Sequence, residues 1–249
     1  MKAMIFAAGL GSRLKPLTDT CPKALITVAG KPMLEHVILK LKAAGFDEIV
    51  INVHHLAHQI LAFLEANDNF GIRIRISDET DELLDTGGGL EKAARLLCPS
   101  GPEHADEAYL IHNVDILSNC QLENLMHHHR HTPGICATLL VSRRKTSRYL
   151  LFDDDNLLCG WINKNTLETK PAGFQYEEGK YREYAYSGIQ VVSPELFKHL
   201  PKGKYSIVDF YLSACRQIKV QGYVEDDLQL IDIGKPETLE KAEEFLGRL

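Results

Sequence analysis

The feature that most restricts this chain is its start. An apolar strand, Ala3–Ala8, runs directly into Gly9-Leu10-Gly11-Ser12-Arg13-Leu14, with Pro16, Thr18 and Pro22-Lys23 close behind. A segment this apolar belongs inside a sheet. The glycines after it bring bare backbone N–H groups to one point, with no Cβ to hold an anion off. Arg13 and Lys23 add fixed positive charge beside the turn, a combination that suits a polyphosphate. Two common phosphate loops do not fit. No Gly-x-x-x-x-Gly-Lys-Ser/Thr occurs, and Leu14 stands where the third glycine of a dinucleotide-binding turn belongs.

Beyond the turn, helical and strand periodicities alternate. Met33, Leu34, Val37, Ile38, Leu41 and Ala44 recur at helical spacing, and Gly45 supplies a stop. Glu48–Val53 reads as a strand, Ala57–Glu65 as a helix and Ile72–Ser77 as a strand. Gly87–Leu97 reads as a helix opening on glycines, Ala108–Asn113 as a strand, Leu122–His131 as a helix and Ala137–Ser142 as a strand. This alternation predicts an α/β fold, a mixed, mainly parallel sheet with helices on both faces. After about residue 143 the pattern changes. Arg143–Tyr149 is a basic loop, Tyr149–Trp161 a hairpin around Asp153-Asp154-Asp155-Asn156, and Lys170–Lys180 a loop. Tyr184–Val192 reads as a strand and Pro236–Leu249 as an amphipathic helix. No long linker or repeat divides the chain, so the reading is a single domain over residues 1–249.

Composition excludes several classes. With 45% hydrophobic and 25% charged residues the chain is ordinary for a soluble globular protein. A net charge of −6 offers no electrostatic footprint for nucleic acid or an anionic membrane. No apolar run approaches a spanning helix, and the apolar start is too short for a signal peptide. Six cysteines (Cys21, Cys98, Cys120, Cys136, Cys159, Cys215) are scattered without a Cys-x-x-Cys pair. That spacing argues against a metal cluster or disulfide framework, and for a reduced, cytoplasmic protein. Cys21 reads as a small loop residue. His127, His128, His129 and His131 end a helix, where they suit the dipole; adjacent positions on a helix do not face one another, so joint chelation is not expected. His54 and His55 read as packing or loop residues.

Gly9, Gly11, Ser12, Arg13, Leu14, Pro16, Thr18, Pro22, Lys23, Lys31 and Pro32 together resemble the signature of the sugar-phosphate nucleotidyltransferases, or nucleotide-sugar pyrophosphorylases. Ser12 replaces the usual Thr, and Thr27 stands where Pro is common. The resemblance implies a Rossmann-like nucleotidyltransferase fold of the glycosyltransferase-A kind, with about 1–142 binding the nucleotide and about 143–249 the sugar. No hexapeptide repeat is present, so the left-handed β-helix domain of some relatives is not expected. The implied reaction joins a nucleoside triphosphate to a sugar 1-phosphate and releases pyrophosphate, with Mg²⁺ as cofactor. Ala8, Gly9, Gly11, Ser12 and Arg13 would hold the triphosphate, and Arg13 and Lys23 would be catalytic. Neither nucleic acid nor membrane is an expected partner; the chain would be a monomer or small homo-oligomer.

Leu110–Asp115 is an apolar stretch ending in a carboxylate, and ligands of open parallel sheets bind at the carboxyl ends of strands. Asp115 could hold Mg²⁺ or cap a turn; the resemblance favours the metal, with Val114 replacing a common Gly. Asp232, in Ile231-Asp232-Ile233-Gly234, could start a turn; the resemblance makes it the second metal ligand. Thr86-Gly87-Gly88-Gly89 could be a hinge or a platform for a planar base. The resemblance assigns Thr86, Gly87 and Gly88 to nucleotide binding. This Thr-Gly-Gly-Gly form is similar to members that uridylylate N-acetylmuramic acid 1-phosphate. That likeness extends through Ile49–Asn52, Gln59-Ile60, Ser77–Glu79 and Asp232 to Glu243, and fades across residues 143–183. Tyr186-Ser187-Gly188-Ile189 resembles the family's acceptor-sugar strand. Lys23, Asn113, Gly188 and Lys170 are the expected sugar-phosphate residues, while Trp161 and Asn163 could meet the sugar. Arg143, Arg144, Lys145 and Arg148 are candidates for the lactyl carboxylate of that substrate. Guanylyl transfer to mannose 1-phosphate, cytidylyl transfer to phosphocholine, and a non-catalytic nucleotide-sugar-binding relative are the alternatives. Retention of Arg13, Lys23, Asp115 and Asp232 argues against the last.

Overall fold

The computed structural model describes residues 1–99 and 107–248. The apolar start becomes β1 (Lys2–Phe6), and short 3-10 turns then carry the chain to a ribbon of β2 (Thr27–Val28) and β3 (Lys31–Pro32). The helical spacing that follows is α1 (Met33–Ala43), with Met33, Leu34, Val37, Ile38 and Leu41 all buried. Next come β4 (Glu48–Val53), α2 (Ala57–Ala66), β5 (Arg73–Asp78) and α3 (Asp85–Leu97). The alternating part closes with β6 (Tyr109–Asn113), β7 (Ile116–Ser118), α4 (Leu122–Arg130) and β8 (Ala137–Ser142). These elements match the periodicity to within a residue or two at most ends, except that β7 is too short to show a period.

β1 lies between β4 and β6 and is parallel to both, with β5 parallel beyond β4. In this register Phe6 stands level with Asn52 and with Asn113, so three strand ends open on one edge. One face of the sheet is covered by α1, α2 and α4, whose Leu34, Ile60 and Leu125 pack with Ala3 and Ile5. On the other face Leu90, Ala93 and Leu97 of α3 pack with Met4, Phe6 and Val50. Alternate β1 residues thus belong to different cores, as a strand buried on both faces requires.

The second half extends the same sheet. β9 (Arg148–Phe152) and β10 (Leu158–Asn163) form the expected antiparallel hairpin, and β11 (Thr169–Lys170) adds to β10. β12 (Arg182–Val192) joins the halves: its first residues pair with β9 and its last with β6 and β8, all antiparallel. α5 (Ile207–Ala214) adds Ile207, Tyr211 and Leu212 to the second core, and β13 (Val220–Val224) runs parallel to β8. Neither was legible as a periodic segment. β14 (Leu230–Asp232) pairs antiparallel with β7 outside the main sheet, and α6 (Glu237–Leu246) closes the described chain. Leu249, the expected end of that helix, lies outside the described residues. The result is a mixed, mainly parallel ten-stranded central sheet with helices on both faces. A third, smaller cluster of Leu14, Ile26, Val28, Met33, Leu117, Ile233 and Ala242 fastens the glycine turn to β14 and α6.

β12 is irregular between Tyr186 and Gln190, where Gly188 takes φ +81°. A Cβ there would lie 2.8 Å from Asn113 Nδ2 and 3.0 Å from Ile116 Cγ1. Gly188→Ala therefore combines a left-handed backbone with overpacking against β6 and β7. It is expected to cost about 1–3 kcal/mol, read as a lower urea midpoint at unchanged slope. An unchanged midpoint would mean that the Asn113 side chain is free to move aside.

Candidate active site

The carboxyl ends of β1, β4 and β6 border a cleft of ≈ 740 Å³. Phe6, Ala8, Gly9, Lys23, Asn113 and Asp115 line one side, and Asn52, Glu79, Asp85, Thr86 and Lys204 the other. The phosphate turn is shaped by Gly11, which takes φ +63°. A Cβ on Gly11 would lie 2.6 Å from Thr18 Cγ2 and 3.1 Å from Lys23 Cβ, so a side chain would push Lys23 away. The buried Thr18 hydroxyl donates to the Gly11 carbonyl at 2.9 Å and folds the turn back on itself. Nothing lies within 4 Å of a Cβ built on Gly9, whose backbone faces open space.

Lys23 donates from Nζ to Asp115 Oδ2, with the two side chains only 12% and 16% exposed. Asp232 reaches the same corner because β14 pairs with β7, placing Asp232 opposite Ile116, and because the Ile233 N–H donates to the Asp115 carbonyl at 2.8 Å. Arg13 closes the corner from above: a Cβ on Gly234 would lie 2.7 Å from Arg13 Nη2 and 2.8 Å from Asp232 Oδ1. Desolvation in the crevice, then the Asp115 charge, raise the Asp232 carboxyl above its ordinary pKa, against the opposing pull of Lys23, Arg13 and Arg144. Two opposed carboxylates make a hard-oxygen donor set, which suits Mg²⁺ better than a softer ion. Among the described residues no group of three or more His, Cys, Asp or Glu could hold a metal by itself. Any ion at Asp115 and Asp232 would complete its shell with water and phosphate oxygens.

The opposite wall rests on a buried polar chain. Asn52 accepts the Ala7 N–H at 2.7 Å through Oδ1 and donates through Nδ2 to Glu79 Oε1 at 2.7 Å. The other Glu79 oxygen accepts the Leu84 N–H at 3.1 Å, and the His54 ring bonds the Glu79 carbonyl at 2.6 Å. Sequence reasoning assigned no role to Asn52 or Glu79. The signal was present in Asn52, a polar residue inside an apolar strand, which must find partners when buried.

The glycine run also has a packing purpose that its sequence did not announce. Gly87, Gly88 and Gly89 form the opening turns of α3. A Cβ on Gly87 would collide with the Tyr205 ring, and one on Gly88 with the Gly203 carbonyl. The glycines admit the segment 203–205, held by Gly87 N–H to Tyr205 O at 2.9 Å and Tyr205 N–H to Leu84 O at 3.2 Å. Thr86 does line the cleft, while its hydroxyl accepts the Ile207 N–H at 2.9 Å and caps α5. Lys204 is thereby carried to the cleft wall, a cation that nothing in its local sequence announced.

Asn113 and Gly188 lie together, but Lys170 does not line the cleft. Its ammonium pairs with Asp209 at 2.8 Å and sits 5.3 Å from the Trp161 ring centroid. The histidines act structurally. Buried His129 bonds Thr138 Oγ1 at 2.8 Å, His128 bonds Gln221 Oε1 at 3.0 Å, and His55 bonds the Thr18 carbonyl at 3.2 Å. Burial, with the charges of His128 and Arg130, pulls the His129 pKa down to about 4.

A glycine turn facing a lysine and two carboxylates is an arrangement suited to binding phosphates and a divalent ion. The model of the nucleotidyl transferase family matches residues 2–248, and the chain belongs to that family. The N-acetylmuramate alpha-1-phosphate uridylyltransferase of Caulobacter vibrioides is 29% identical over 98% of this chain and 96% of its own. The enzyme of that name from Neisseria meningitidis serogroup B is 44% identical over 48% of each chain. Among solved structures, HddC from Yersinia pseudotuberculosis complexed with GMP-PN aligns with a TM-score of 0.74 at 20% identity, covering 98% of this chain and 99% of that one. No helix among the described residues is long and apolar enough to cross a membrane.

Because Asp232 binds its proton more tightly folded than unfolded, its protonation favours the fold. That contribution is present below the unfolded pKa and is lost as pH rises through the raised value. In metal-free buffer at pH 7 the ionised carboxylate is a net cost, so Asp232→Asn should melt above the parent, with the gain shrinking at acid pH. A melting temperature below the parent's at pH 7 would contradict this electrostatic account.

Proposed function

We propose that this chain transfers a uridylyl group from UTP to N-acetylmuramic acid 1-phosphate, giving UDP-N-acetylmuramic acid and pyrophosphate. The observation that carries the reading is the likeness to a uridylyltransferase of that name over nearly the whole length of both chains. The cleft supports it, with a phosphate turn at one end of β1 and the Lys23, Asp115 and Asp232 corner beside it. No disulfide forms among the described residues, in keeping with a reducing cytoplasm, where such an enzyme would recycle a peptidoglycan sugar.

In this mechanism an oxygen of the sugar phosphate forms a bond to the α-phosphorus of UTP. The bond from that phosphorus to the β-bridging oxygen breaks, and pyrophosphate leaves with the electron pair. The attacking phosphate is already an anion, so no general base is needed, and the protein's task is positioning and charge stabilisation. Backbone N–H groups of Gly9 to Ser12, with Arg13, would hold the β- and γ-phosphates. Lys23 has N–H donors beyond the one given to Asp115 and would hold the sugar phosphate against the α-phosphorus. Asn113, backed by Gly188, would orient the sugar. Asp115 and Asp232 would hold Mg²⁺, which when bound supplies positive charge to the reacting phosphates.

Pyrophosphate release from a panel of triphosphates and phosphorylated acceptors tests the reading. UTP with N-acetylmuramic acid 1-phosphate should give the highest kcat/KM, chelator should abolish turnover and added Mg²⁺ restore it. Higher kcat/KM for GTP with mannose 1-phosphate would overturn the substrate assignment while leaving the family standing.

Charge placement gives a second test. Lys23→Ala should lower kcat by about 10²–10³, the cost of deleting one preorganised electrostatic donor. Arg13→Ala should mainly raise KM for the triphosphate. If both variants altered KM alone, the division of labour between the two cations would be wrong.

A further inference from the structure

A sugar 1-phosphate that carries a lactyl ether bears a second negative charge on its sugar end, away from the phosphates. An enzyme that selects it over the same sugar without the ether must supply a cation there, because a carboxylate stripped of water needs a charged partner. Four basic residues follow β8: Arg143, Arg144, Lys145 and Arg148. β6 and β8 are both antiparallel to β12, so they run in the same direction, and β8 opens on the edge where Asn113 and Asp115 lie.

The structure separates the cations of this half. Arg143 donates from Nε to Asp226 at 2.9 Å and lies over the Tyr184 ring. Lys164 is engaged by Glu183 and Tyr176, Lys170 by Asp209, and Arg148 is carried into the β9–β10 hairpin opposite Asn163. Arg144 differs. Its Nη2 donates to the Tyr186 carbonyl at 3.0 Å, which anchors the guanidinium to β12 just before the Ser187-Gly188 irregularity that backs Asn113. Among the described residues no carboxylate forms an ion pair with it, and four of its five N–H donors are not used in that bond. It also stands near enough to the metal corner for Asp232 to feel its charge.

We propose that Arg144 is the specificity-determining residue of the sugar pocket, its anchored guanidinium receiving the lactyl carboxylate in a two-pronged, charge-assisted bond. This rests on the substrate reading above. Lys145 lacks the fork geometry and the anchor, and Arg143 already holds a carboxylate.

The test compares N-acetylmuramic acid 1-phosphate with N-acetylglucosamine 1-phosphate, which differs only in lacking the lactyl ether, for the parent, Arg144→Gln and Arg144→Lys. The parent should prefer the muramic acid substrate. In Arg144→Gln that preference should fall about 10–100-fold, chiefly through KM, the range expected for one charged hydrogen-bonded contact. Arg144→Lys should recover part of it. If the parent prefers the muramic acid substrate and Arg144→Gln keeps the ratio, the assignment of Arg144 is wrong. An equal loss on both sugars would likewise overturn it, since that is the signature of an effect through Asp232 alone. A parent with no preference would overturn the substrate reading itself.

Discussion

The Asn52 side chain lies where three strand exits meet. It accepts from the backbone leaving β1 and donates to Glu79 just beyond β5, and Glu79 in turn receives the backbone N–H of Leu84 before α3. Each of these groups is buried or nearly so, so each would be costly to leave unpaired. The chain of bonds sets the spacing between the glycine turn after β1 and the opposite wall. It also explains why Gly89 has no side chain: a Cβ there would lie 2.7 Å from Glu79 Oε1 and 3.0 Å from Asn52 Nδ2. These polar bonds tie the ends of β1, β4 and β5 to the start of α3 on the cleft wall.

Across the cleft the balance is one of charge. Asp115 and Asp232 oppose each other, and Lys23, Arg13 and Arg144 offset them from different elements. A lone carboxylate pair would push the corner apart. The small cluster of Leu14, Ile233 and Ala242 resists this by packing the phosphate turn, β14 and α6 against one another. Apolar burial thus holds the turn, β14 and α6 together against the mutual repulsion of the two carboxylates.

Much of this was legible beforehand. The strand entering a glycine turn, the alternation through β8 and the hairpin all follow from short-range pattern, whereas Asp115 and Asp232 were singled out by the family resemblance and not by pattern alone. α5 and β13 were not legible, because Ile207–Ala214 and Val220–Val224 are short and apolar without a distinctive period. Gly87 and Gly88 were visible as glycines, but their purpose depends on Tyr205 and Gly203, far along the chain. Lys170 and Arg144 illustrate the same limit. Both are basic loop or strand-end residues; one is engaged by Asp209, and the other, among the described residues, bonds a backbone carbonyl and no carboxylate.

By itself the sequence determined most of the segments that become strands and helices, and which strand ends carry a glycine turn or a carboxylate. Those properties arise from hydrophobic period and backbone freedom, which act over a few residues. Only the tertiary structure decided that Asp232 comes beside Asp115, that Lys204 reaches the cleft wall, and that Arg144 meets no carboxylate among the described residues. Those outcomes depend on which distant side chain arrives opposite, and electrostatic and packing energies are set by that neighbour rather than by the residue alone.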